Sequence, residues 1–140
     1  MYKGVSSKGI EFYNLLFNNI EFCAELGKIT LASGKLEVEL ILLLTRKNID
    51  ENLVKATLGR LIRIAKNNHL LGDNLIMSLE LILKQRNYLT HNIYALFSET
   101  ITETILEREN LLDSDIITYV EIVKDLKENL LHLSKVISEI

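Results

Sequence analysis

Apolar residues recur along this chain in steps of three and four, and that spacing predicts helices almost throughout. Phe12, Leu15, Leu16, Phe22, Leu26, Ile29, Leu36, Leu40 and Leu43 make one stripe between about Lys8 and Arg46. The stripe passes Gly27 and Gly34 without changing face. It predicts one long helix, or two nearly collinear ones kinked at a glycine. The two glycines share a face with Thr30 and lie close to Ser33. Such a small-residue seam suits a kink or a tight internal crossing, or else contact with a second chain.

A second helix is expected from Asp50, a residue type that caps helix starts, to about His69. Val54, Leu58, Leu61, Ile62 and Ala65 would face inward, with Gly72 as the stop. His69 would sit in the last turn, where the helix dipole favours positive charge. A third helix should start at Asp73 or Asn74 and carry Leu75, Ile76, Leu79, Ile82 and Leu83 inward. A fourth should place Ile93, Leu96, Phe97, Ile101 and Ile105 inward and end near Glu109 or Asn110. The last starts at Asp113 or Ser114. Its Tyr119, Val123, Leu126, Leu130, Leu133, Ile137 and Ile140 form a heptad seam. That seam either closes the bundle or zips against another chain. The expected fold is all-α: an up-and-down bundle of about five helices in a single domain, residues 1–140.

Composition sharpens this. Proline is absent, which permits long helices, and 48% hydrophobic residues suffice for a core. The net charge of −3 is unlike a general nucleic-acid binder, so an RNA-acting chain would have to concentrate its positive charge locally. A single cysteine, Cys23, excludes an internal disulfide and is expected in the core. The first eight residues lack the apolar core of a targeting segment, and no apolar stretch nears the ~20 residues of a membrane span. A cytoplasmic protein without membrane contact is expected. There is no P-loop, dinucleotide fingerprint, CxxC, HExxH or ExxH quartet, so neither a metal nor a cofactor is expected.

The chemistry concentrates at residues 86–91. One helical step beyond Ile82, the inward position of the third helix is Arg86. An arginine on a core face is costly unless it is paired or opens onto a cleft; Glu25 or Glu37 of the first helix are possible partners. His91 follows five residues later, roughly 140° from Arg86 on an ideal helix. A break between them is therefore expected, with Thr90 capping a new helix from His91 and leaving backbone N–H groups free to hold an anion. Lys84 has Glu80 four residues before it, a surface pair.

Arg86-Asn87-Tyr88-Leu89-Thr90-His91 resembles the R-[N/D/H]-x-x-x-H motif of the HEPN superfamily, small all-helical proteins that include many metal-independent ribonucleases and toxins. The resemblance implies an endoribonuclease in which the RNA's own 2′-hydroxyl attacks. Arg86 would stabilise phosphate charge, His91 would act as acid or base, and Asn87 would position. Arginine matches phosphate oxygens with a permanent planar cation, and histidine titrates near neutrality. The resemblance also implies a composite site across a homodimer, RNA as substrate, and a toxin or phage-defence setting with an antitoxin partner, nucleotidyltransferase-like or other.

Arg60, Arg63 and Lys66 lie along one side of the second helix as an RNA-binding stripe or a solvated face. Tyr94, one turn after His91, would orient the imidazole, stack on a base, or simply be a half-buried aromatic. One HEPN subgroup has a tyrosine two residues after the histidine; the spacing here is three. His132 is expected at the surface. The alternatives are a non-catalytic HEPN-like RNA-binding or regulatory module, and a helical oligomeric adaptor without a nucleic-acid role.

Overall fold

The computed structural model describes residues 6–94 and 113–140. Among them the backbone forms α1 (Ser6–Phe17), α2 (Ile20–Arg46), α3 (Leu58–Asn67), α4 (Asp73–Asn87), a π-helical turn (Tyr88–Asn92) and α5 (Asp113–Ser138). The fold is an all-α bundle. Of the inward residues expected on the fourth helix, only Ile93 falls among the described residues, where it is buried; Leu96, Phe97, Ile101 and Ile105 lie outside them.

The first break falls at asparagine, not glycine. Asn18 Nδ2 donates back to Asn14 O, and Asn19 Oδ1 accepts from Phe22 N, which closes α1 and caps α2. α2 then runs unbroken through Gly27 and Gly34, and a Cβ added at either would meet nothing within 4 Å. Among the described residues, neither glycine serves as a close crossing point. Ile20, Leu31, Val38 and Leu42 stand exposed on the same outer face. Cys23 is exposed rather than in the core. It sits one residue beyond Phe22, off the inward stripe, and its thiol donates to Phe17 O at 3.2 Å.

α2 ends without glycine. Asn48 takes a left-handed φ of 54°, with Asn48 N bonded to Thr45 O and Ile49 N to Leu44 O. These two bonds satisfy the last carbonyls of the helix. The end of α3 repeats the device: His69 has φ 53°, His69 N bonds to Lys66 O and Leu70 N to Ala65 O. His69 thus lies beyond the helix, and Gly72, expected to stop α3, is the residue before α4.

The second helix is shorter than expected. Residues 50–57 form a loop, Asp50 caps nothing, and Val54 is 76% exposed. Asn52 Oδ1 accepts from Val54 N, and Arg60 Nη1 grips Asn52 O at 2.8 Å. These bonds offer the backbone an alternative to the helix, which begins only where Thr57 Oγ1 accepts from Arg60 N.

α5 closes the bundle against α2. Tyr119, Val123, Leu126, Leu130, Leu133 and Ile137 are all buried, whereas Ile140 is exposed. The two helices run in the same direction: Lys124 pairs with Glu21, Lys127 with Glu25, and Arg46 Nη2 donates to Ile137 O. Tyr119 is a hub, edge-on to Phe12 at 5.5 Å and to Phe22 at 6.4 Å. α3 and α4 approach closely where a Cβ on Gly59 would come within 3.3 Å of Leu83. No helix among the described residues is long and apolar enough to cross a membrane.

Candidate functional site

α4 does not break after Arg86. It passes directly into the π-helical turn, and Ile93 continues in right-handed helical conformation. Thr90 caps nothing; its Oγ1 donates to Arg86 O at 2.8 Å. The expected anion site of free backbone N–H groups is therefore absent. The reason lies in the core: Tyr88 and Leu89 are both buried, and the Tyr88 hydroxyl lies 2.8 Å from that of Tyr119. Holding both side chains inward widens the helix instead of ending it.

The widening has a chemical result. One turn of i→i+5 bonding brings residues five apart back to one face, and such turns occur often at functional sites. Arg86 and His91 are five apart, and both line the same two adjoining pockets. The larger, about 380 Å³, adds Asn87, Glu37, Thr57, Leu58, Gly59 and Leu83. The smaller, about 250 Å³, adds Thr30, Ser33, Gly34, Glu37 and Thr90. α2 forms one wall, α4 and its π turn the other, and the start of α3 closes one end.

Arg86 is half-buried and makes no ion pair with a described carboxylate; its Nε is buried without a hydrogen-bond partner. Glu25 is already engaged by Lys127 at 2.8 Å and Lys28 at 3.2 Å, which hold its carboxyl below the ordinary range, Lys127 contributing most. Glu37 faces both pockets without an ion pair to Arg86. His91 is exposed and Asn87 half-buried.

The other candidate residues stay apart. Arg60 is tied to Asn52 O and to Glu51 at 3.4 Å. Lys66 pairs with Glu80 at 2.8 Å. Arg63 is exposed, with no ion pair among the described residues. Tyr94 lines neither pocket; it is half-exposed and packs edge-on against Tyr13 at 4.8 Å. His132 is exposed, as expected. Among the described residues no group of three or more His, Cys, Asp or Glu could hold a metal ion.

Sequence reasoning missed the α2 wall as a source of site residues. Thr30, Ser33 and Glu37 stand at i, i+3 and i+7, a polar row bordering an apolar stripe. That row was the available signal. No known protein family, curated protein or solved structure matches the chain.

Proposed function

We propose that the chain is a metal-independent endoribonuclease of HEPN type. The observation that carries this reading is that Arg86 and His91, five residues apart, line the same two pockets. The 2′-oxygen of the substrate bonds to phosphorus while the bond to the 5′-oxygen breaks. A proton leaves the 2′-hydroxyl and another reaches the departing 5′-oxygen, giving a cyclic phosphate and a free 5′-hydroxyl. Arg86 stabilises the added charge on phosphorus, His91 transfers one proton and Asn87 positions the phosphate.

A second copy of the chain supplies the complementary proton transfer across a homodimer. The outer face of α2 supports this arrangement: it exposes Ile20, Leu31, Val38 and Leu42, is open at Gly27 and Gly34, and meets the smaller pocket at Gly34. The motif resemblance further suggests a toxin or phage-defence role, checked by an antitoxin protein.

One observation favours a helical adaptor without a nucleic-acid role. Arg60 and Lys66 are held in pairs with Glu51 and Glu80, which leaves little unpaired basic surface on α3 to hold RNA. The deciding experiment incubates the full-length chain with an RNA strand in EDTA, alongside the same strand carrying a 2′-deoxy sugar at the cut site. Cutting in EDTA to a cyclic phosphate, with the deoxy strand resistant, is expected. A metal requirement or equal cutting of the deoxy strand overturns the mechanism. Neither binding nor cutting selects the second reading, and binding without cutting leaves a non-catalytic RNA-binding module.

A further inference from the structure

Ser33 breaks a local rule. The hydroxyls of Thr45, Ser78, Thr90 and Ser134 each donate to the carbonyl four residues back. That is the usual outlet for a helical hydroxyl. Ser33 is only 5% exposed, yet its Oγ has no partner. The other buried side-chain polar atom without a partner, among the described residues, is Arg86 Nε. Both residues line the smaller pocket, about 250 Å³ in volume. A buried donor left unsatisfied costs folding free energy. The two residues stand on facing helices and line one cavity, so one ligand there would complete the bonding of both.

We propose that this pocket is an oxyanion subsite in which the Ser33 and Arg86 side chains turn toward the cavity and donate, through Oγ and Nε, to one phosphate group. Both groups are donors, one is cationic, and the cavity walls at Thr30, Gly34 and Thr90 are small or hydroxylic. Glu37 also lines the pocket; its carboxylate opposes an anion there, against the permanent positive charge of Arg86. The inference rests on the nuclease reading for the identity of the phosphate, a phosphodiester of the RNA strand, but not for the existence of the subsite. Ser33 is then a substrate-positioning residue outside the Arg86–His91 motif.

The test uses the full-length chain with inorganic phosphate as the probe, followed through backbone amide resonances of the α2 wall and by thermal midpoint. Ser33→Ala should weaken phosphate binding about tenfold or more, the usual worth of a hydrogen bond to a charged group. It should not lower the thermal midpoint, because the hydroxyl holds nothing in the protein. Ser33→Thr, which keeps a hydroxyl, should retain most of the binding, and Ser78→Ala all of it. Unchanged phosphate affinity in Ser33→Ala, or no saturable binding to the unaltered chain, overturns the proposal. So does a lowered midpoint in Ser33→Ala, which would make the hydroxyl a structural group. Displacement of phosphate by an RNA strand identifies the strand as the source. If RNA neither binds nor is cut while Ser33-dependent phosphate binding persists, the nuclease reading falls and the subsite stands, with free phosphate as its ligand.

Discussion

The Tyr88 hydroxyl lies 2.8 Å from the Tyr119 hydroxyl, in the core between the π turn and α5. This contact ties the motif segment to the buried seam of α5. Removing one partner of a buried pair generally costs about 1–3 kcal/mol. Tyr119→Phe should therefore lower stability by about that amount, and the double change to Phe should cost less than the two single changes added. Urea unfolding of the three variants measures this. Strict additivity would show that the two hydroxyls do not support each other.

Arg86→Lys keeps the charge and loses the planar fork. Loss of one preorganised electrostatic group typically costs ~10²–10³ in rate. RNA cleavage should fall by that order, with RNA binding only modestly weaker. Single-turnover rates and a binding titration separate the two quantities. Full activity would remove the bidentate role given to the arginine.

His91 is exposed at the pocket mouth, so His91→Ala should abolish cleavage while leaving helical content and thermal midpoint nearly unchanged. Circular dichroism alongside the cleavage assay checks both. An unfolded variant would mean that the imidazole serves the fold.

The Glu25–Lys127 pair should make stability depend on pH. Lys127 and Lys28 hold the Glu25 carboxyl below its ordinary 4.5. A depressed carboxyl stabilises the fold fully above its unfolded value, and that contribution is lost as pH falls through the folded value. Lys127 is held above its ordinary 10.5, chiefly by Glu25. Its contribution is complete below 10.5 and is lost as pH rises through the raised value. Glu25→Gln should be less stable at neutral pH and should lose less stability on acidification below 4.5. Urea midpoints across that range decide; an acid limb parallel to the unaltered chain would assign the acid sensitivity elsewhere.

Leu31 is 76% exposed on the outer face of α2. Leu31→Glu should convert the proposed dimer to monomer without disturbing the fold, and should reduce cleavage with it. Sedimentation and thermal melting test this pair of outcomes. A monomeric unaltered chain at micromolar concentration would remove the composite site.

The α2 and α5 stripes were legible in the sequence because burial follows the helical period there with few interruptions. The inward position of Arg86 was legible for the same reason. The loop at residues 50–57 was not: Asp50 looks like a cap, and only the tertiary grip of Arg60 on Asn52 shows that the helix starts later. The end of α2 at Arg46 was legible, although Asn48 and not a glycine makes the turn after it; α3 stops at Asn67, short of the expected His69, because His69 fills a position usually given to glycine. The site itself was half visible. Its α4 side carries a recognisable spacing, whereas its α2 side depends on a packing that brings Ser33 and Glu37 opposite Arg86.

The π turn also sets a phase. It is in effect one extra residue threaded into an α-helix, so Ile93 sits about one position back on the helix face relative to an uninterrupted continuation. Deleting one residue between Asn87 and His91 would restore an ordinary helix and shorten the motif to a four-residue spacing, which on an α-helix again shares a face. Arg86 and His91 would remain neighbours, and Ile93 would keep its inward place, because the deletion removes only the residue that the wider turn takes up. The extra residue is thus absorbed within the turn, and its loss should be felt first at Tyr88 and Leu89, both of which the turn now seats in the core.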